Sequence, residues 1–193
     1  MIKSKRRQKI IYRITATAIV SFWVAFIAVI TVNFTEKRAY PLLFEEEITV
    51  AAEKYGIAPE LVFAIVRTES GFEPLAVSVK GAVGLMQILP STGQYIAEKK
   101  GIKEYDLYDI NTNLDFGVYY WQYLSEKFSG LNETAAAYNA GEGTVKGWLK
   151  NSDYSKDGKR LDVIPYKETC NYVKKISESL KRYKKLYGKL LDK

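Results

Sequence analysis

Between Arg13 and Glu36 the chain runs through Ile14–Thr35 without a charged residue, and Ile14–Val32 (ITATAIVSFWVAFIAVITV) is almost wholly apolar. A bilayer core asks for about 20 such residues in one helix. Six basic residues (Lys3, Lys5, Arg6, Arg7, Lys9 and Arg13) precede the stretch, and Glu36 follows it. That asymmetry predicts an N-terminus in the cytoplasm and a chain that lies outside from about residue 36. A cleaved signal peptide is the competing reading. Its apolar region would be about 7–15 residues long and end at small residues. This run is longer and ends in Val32-Asn33-Phe34-Thr35. The expected organisation is a cytoplasmic basic segment (1–13), a transmembrane anchor (14–35), a linker broken by Pro41 (36–43) and one folded domain (44–193). The domain would sit on the extracytoplasmic side of the membrane.

The net charge of +7 over 193 residues hides a partition. The first 13 residues carry +6 and the last 22 carry +6, which leaves −5 for residues 14–171. A nucleic-acid binder would show a basic face on its folded body; here the body is acidic, so no nucleic-acid partner is expected. The chain has no His and one Cys, Cys170. This removes Ser-His-Asp triads, Cys-His dyads, histidine-ligated zinc and disulfide frameworks. Proton chemistry is left to Glu, Asp, Tyr, Lys and backbone groups. No metal or organic cofactor is implied. Cys170 reads as a partly buried free thiol, since no catalytic base accompanies it.

The exported part reads as mainly α with little strand. Phe44–Tyr55 has helical apolar spacing and ends at Gly56. Pro59 opens a mostly apolar helix through Ser70. Residues 71–83 have loop composition with room for a short hairpin. Gly84–Leu89 and Ser91–Lys100 read as helical, split by Pro90. Further helices are expected over Asn113–Phe128, Glu133–Asn139 and Thr144–Leu149, and a long final one from Pro165 to about Leu186.

Glu69 stands out. It ends a helix that is apolar nearly all round, as a core helix is. Burial and the negative end of the helix dipole both disfavour its charged form, which raises its pKa. A raised Glu is what a general acid at neutral pH requires. From periodicity alone, a Glu bent into solvent or paired with Arg67 or a Lys is the favoured reading.

Around it stand Glu69-Ser70-Gly71-Phe72, then Gly81-Ala82-Val83-Gly84-Leu85-Met86-Gln87. Ala137-Tyr138-Asn139-Ala140-Gly141 and Ile164-Pro165-Tyr166-Lys167-Glu168-Thr169-Cys170-Asn171-Tyr172-Val173 follow. In that order and spacing, over about residues 45–178, the chain resembles the soluble-lytic-transglycosylase family, the murein-cleaving branch of the lysozyme-like fold. Asn113, Gly117 and Tyr120 resemble that family's N-x-x-x-G-x-x-Y helix.

The resemblance implies a lysozyme-like, mainly α fold and one catalytic carboxylate, Glu69. Glu69 would protonate the glycosidic oxygen between N-acetylmuramic acid and N-acetylglucosamine. The muramic N-acetyl group would stabilise the cation at C1, and Glu69, now a carboxylate, would deprotonate the O6 hydroxyl that attacks C1. A 1,6-anhydromuramic end results, with no water added. Ser70, Met86, Gln87, Tyr138, Asn139, Glu168 and Tyr172 occupy positions that the family uses to bind substrate or support the site. Met86 could equally be core filling, and Glu168 could equally pair with a Lys. Asp109, Asp115 and Glu73 are candidates for a second carboxylate; the first two read more simply as helix-entry acids and Glu73 as a solvated loop residue. Departures from the pattern are Glu142 where the family often has Pro, Cys170 where it often has Arg, and Trp121 where Leu is usual.

Two rival functions share these residues. One is a hydrolysing muramidase like the goose-type lysozymes. The other is a cell-wall-binding assembly component with a dead site. The expected partners are peptidoglycan glycan strands, a membrane held through the N-terminal helix and an unidentified envelope machine. The basic C-terminal helix reads as a solvated end, with attraction to anionic polymers or lipids as the alternative.

Overall fold

A computed structural model describes the backbone of residues 2–191. Met1, where the expected cytoplasmic segment begins, and Asp192 and Lys193, where the expected domain ends, lie outside the described residues, as do the side chains of residues 2–12, 14, 33, 189 and 190. The chain divides into two compact units, Met1–Pro41 and Leu42–Lys193.

The first unit is one helix, α1 (Ile2–Ala39). Its segment Thr15–Ala39 contains an 18-residue window with a mean hydropathy of 2.2 and is long and apolar enough to cross a membrane. Phe22, Trp23, Val24, Phe26 and Ile27 are about half exposed or more. Water does not favour a helix so clad, whereas lipid does.

The second unit holds α2 (Glu45–Lys54), α3 (Pro59–Glu69), α4 (Pro90–Lys100), α5 (Ile110–Ser125), α6 (Leu131–Ala140), α7 (Glu142–Leu149) and α8 (Lys167–Leu191). Local chemistry accounts for several boundaries. Pro59 and Pro90 occupy the first helical turn, where the missing N–H costs nothing. Asp109 starts α5 three residues before the expected Asn113, because its carboxylate accepts the Thr112 N–H at 2.8 Å. Gly101 ends α4 with a φ of 68°.

The core forms around α3. Val62 through Val66 are five consecutive residues with no exposed surface, so this helix is covered on every side. It packs most extensively on α8, where Phe63 stacks on Tyr183 at 5.4 Å between ring centres. α6 also lies on α8, while α5 touches α2, α4 and α6. The C-terminal end of α3 is thereby held inside the domain.

One expected element is absent. Gly84–Leu89 is not helical: Gly84 to Gln87 form a tight turn closed by an isolated β-bridge from Val83 to Ile88, and Val83 also bridges to Val77. Gly84 (φ 79°) and Gln87 (φ 49°) adopt left-handed conformations that an α-helix does not contain. The Val83 and Ile88 backbones exchange both hydrogen bonds at 3.0 Å. The miniature hairpin anticipated before residue 83 thus extends through Ile88.

Candidate active site

Glu69 is the last residue of α3, and its backbone is fixed by the packing just described. Its side chain is partly buried, and its Oε1 accepts a hydrogen bond from the Tyr172 hydroxyl at 2.6 Å. Burial pushes the Glu69 pKa up to about 7, and the Tyr172 hydrogen bond opposes that rise. Tyr138 and Tyr172 have hydroxyls held well above their ordinary range, first by burial and then by the Glu69 charge. All three groups therefore share one low-dielectric locus, in which an ionised Glu69 is felt by both phenols.

The turn over residues 83–88 closes one side. Tyr138 donates its hydroxyl proton to the Met86 carbonyl at 2.9 Å, which ties α6 to the turn. Ser70 Oγ lies 2.9 Å from the Leu85 carbonyl and accepts the Phe72 N–H at 3.1 Å, which ties the end of α3 to the same turn. Gln87 Nε2 donates to the Gly84 and Ala76 carbonyls at 3.0 and 3.2 Å. Ser70 and Gln87 are therefore both engaged within the protein, shaping the loop beside Glu69.

The structure separates the remaining expected residues. The Met86 side chain is fully buried against Gly117, where an added Cβ would meet its Sδ at 2.3 Å. It has the core position and presents no surface to a sugar ring. Asn139 accepts the Thr169 hydroxyl at 2.8 Å, which links α6 to the first turn of α8. Glu168 is an exposed residue one turn before Tyr172 and lies 4.0 Å from Lys80, so the Lys pairing is the one seen.

Three other carboxylates are committed elsewhere. Asp109 caps α5, and Glu73 accepts the Leu75 N–H at 3.3 Å on an exposed loop. Asp115 does not enter a helix as expected. It lies inside α5, 2.6 Å from Lys54 Nζ and 2.7 Å from the Tyr55 hydroxyl, and it is also paired with Lys100. These cationic partners hold its pKa below the ordinary carboxylate range against the opposing effect of burial.

Sequence reasoning placed Asn113 in a family pattern without seeing its task. It is buried in the first turn of α5, and its Oδ1 accepts the Met86 N–H at 2.8 Å. Its Nδ2 donates to the Val83 and Leu107 carbonyls at 2.9 and 2.8 Å. A side chain at Gly84 would collide with it, the nearest approach being 2.2 Å. Asn113 therefore supplies the hydrogen bonds that a non-helical buried turn must find. The available signal was an amide just before Leu114 and Phe116, the first buried apolar residues of α5.

The model of the transglycosylase SLT domain matches residues 46–161. The soluble lytic murein transglycosylase of Escherichia coli K12 is 36% identical over 147 residues, which cover 72% of this chain and 23% of that protein. Membrane-bound lytic murein transglycosylase C of Actinobacillus pleuropneumoniae is 35% identical over 161 residues, 68% of this chain and 43% of its own length. The crystal structure of the 70 kDa soluble lytic transglycosylase of Escherichia coli superposes with a TM-score of 0.69 at 30% identity, covering 78% of this chain and 25% of that one. This chain thus spans about a quarter of the soluble relatives and under half of the membrane-bound one. Its fold is the mainly α, lysozyme-like one that the motifs implied.

Proposed function

Because this chain belongs to the transglycosylase SLT domain family, we propose that it is a peptidoglycan lytic transglycosylase in which Glu69 is both acid and base. The observation that carries the reading is the Glu69 carboxylate at the buried end of α3, hydrogen-bonded at 2.6 Å by the Tyr172 hydroxyl, where burial pushes its pKa up to about 7. Near neutral pH such a group is shared between its two protonation states, as one residue serving both half-reactions requires.

In the first half-reaction the protonated Glu69 gives its proton to the oxygen between N-acetylmuramic acid and N-acetylglucosamine. The bond to C1 breaks, and the neighbouring N-acetyl carbonyl stabilises the cation at C1. Glu69 is now a carboxylate. Its charge is held by the Tyr172 hydroxyl, whose hydrogen bond favours the ionised form. In the second half-reaction it takes the proton from the muramic O6 hydroxyl as that oxygen attacks C1. Atoms balance without water, and the enzyme returns to its starting state.

Tyr138, which lies within the field of Glu69, is assigned with Asn139 and Gln87 to substrate positioning. Ser70 and the Met86 backbone are assigned to holding that wall in place. Glu168, exposed and one turn before Tyr172, is assigned to the rim. Asp109, Glu73 and Asp115 are engaged in other contacts, which favours the one-carboxylate route over a two-carboxylate hydrolysis.

The apolar segment of α1 and the match to a relative described as membrane-bound support anchoring. The anchor is read as a single pass with its N-terminus in the cytoplasm, and the domain from Leu42 onward as facing the wall. Digestion of purified peptidoglycan by the full chain in detergent tests the activity. Anhydro ends, about 18 Da lighter than hydrated ones, are expected from the wild type and absent with Glu69→Gln. Hydrated ends would make the protein a muramidase, and intact strands would make it a binding component.

A further inference from the structure

α8 has two opposed faces. At about 100° per residue, Thr169, Tyr172, Val173, Ile176, Ser179 and Tyr183 fall together, and all are buried against the domain. Lys167, Lys174, Lys181 and Lys185 fall within about 40° of one another on the other side, and all four are exposed. They form a stripe about 27 Å long. Lys175, Arg182 and Lys184, also exposed, flank it, and Glu178 is the acid within it. The body of the chain, by contrast, carries −5 over residues 14–171. A charge distribution so divided orients a molecule in the field of an anionic surface.

We propose that the lysine stripe of α8 docks the folded domain on the anionic lipid headgroups of the membrane that holds its anchor, a proposal that rests on the anchoring reading above. The argument for lipid as the occupant comes from chain length. Only Tyr40 to Phe44 separate α1 from α2, so the domain is confined near the membrane surface at high effective concentration. Clustered lysines close to such a surface are attracted within a Debye length. Tyr172 lies about 200° around the helix from Lys174. Docking by the stripe therefore turns the Tyr172 face of α8, and with it Glu69, away from the lipid.

Lysine acetylation, followed by mass spectrometry on the full chain in vesicles, tests this. Phosphatidylglycerol vesicles should slow labelling of Lys167, Lys174, Lys181 and Lys185 at least about threefold relative to phosphatidylcholine vesicles. The exposed Lys150 and Lys159 should label equally in both. About 0.5 M salt should remove the difference, and in the triple variant Lys174→Gln/Lys181→Gln/Lys185→Gln the remaining Lys167 should lose its protection. Equal labelling of the stripe in both vesicles would overturn the proposal. So would protection given only by a soluble glycerol-phosphate polymer, which would assign the stripe to a wall polymer. Failure of the anchoring reads out separately, because the chain would then not float with phosphatidylcholine vesicles; its flotation with phosphatidylglycerol vesicles would still decide the fate of the stripe.

Discussion

Tyr172 and Glu69 are 103 residues apart in sequence and 2.6 Å apart in space, hydroxyl to carboxylate oxygen. The contact joins the end of α3 to the second turn of α8, the two helices that pack most extensively. It is also the one specific interaction that stabilises the charged form of a carboxylate that burial otherwise keeps protonated. The acid and base roles of Glu69 are balanced by these two opposing effects.

Tyr172→Phe removes the stabilising hydrogen bond and leaves the burial. The Glu69 pKa should then move above about 7, and the pH profile of glycan cleavage should shift to higher pH. The maximal rate should fall, because the carboxylate of the second half-reaction is the form that loses support. A pH–rate series on both proteins checks this. An unchanged profile would remove Tyr172 from the tuning of Glu69.

The raised pKa also affects stability. Glu69 binds a proton in the folded chain up to about pH 7, whereas the unfolded chain releases it near the ordinary glutamate value of 4.5. The folded state therefore binds more protons between those values, and stability falls as pH rises through that window. Glu69→Gln abolishes the effect. It should be more stable than the wild type at pH 8, by up to about 3 kcal/mol, and little different at pH 4. Urea denaturation at the two pH values measures the difference.

Asn113→Ala should cost about 3 kcal/mol, since the buried Met86 N–H and the Val83 and Leu107 carbonyls lose their partner. Activity per folded molecule should fall as well, because the Met86 carbonyl that receives Tyr138 is no longer held. Gly84→Ala should do likewise through its collision with Asn113. Wild-type activity in a folded Asn113→Ala protein would show that the turn does not position the site.

Much of this was legible from residue order. The helices follow from apolar spacing, Pro59 and Pro90 mark two starts, and Glu69 at the end of a buried helix is unusual on chemistry alone. What escaped is where short-range signals and tertiary contacts disagree. Gly84–Leu89 has enough apolar residues for a helix, but Gly84 and Gln87 take left-handed conformations because Asn113, 27 residues after Met86, pays the hydrogen bonds of a turn. Met86 sits in a motif near the cleft yet packs on Gly117, a contact that no local pattern announces. Glu168 and Tyr172 are four apart on one helix, but at the α8 start only Tyr172 turns inward to meet α3. Asp115 looked like a helix-entry acid, and its partners Lys54 and Lys100 come from α2 and α4.

Asp115→Asn should destabilise the domain by about 2 kcal/mol at neutral pH, as Lys100 is left partly buried without its counter-charge. The pKa of Asp115 is depressed, so its contribution is present above the ordinary carboxylate pKa and is lost as pH falls through the lower folded value. The gap between wild type and variant should therefore close in acid. Cleavage by the folded variant should stay near wild type, because this cluster is separate from Glu69 and its partners.

Digestion of peptidoglycan in ¹⁸O-water, with wild type and Glu69→Gln side by side, tests the central claim most directly. The wild type should release muramyl ends that carry no heavy oxygen, since O6 of the sugar itself closes on C1, and Glu69→Gln should release none. Hydrated muramyl ends about 2 Da heavier than those formed in ordinary water, and so about 20 Da heavier than anhydro ends, would show that water attacks C1 and would contradict the single-carboxylate lytic route; so would anhydro ends released at wild-type rate by Glu69→Gln.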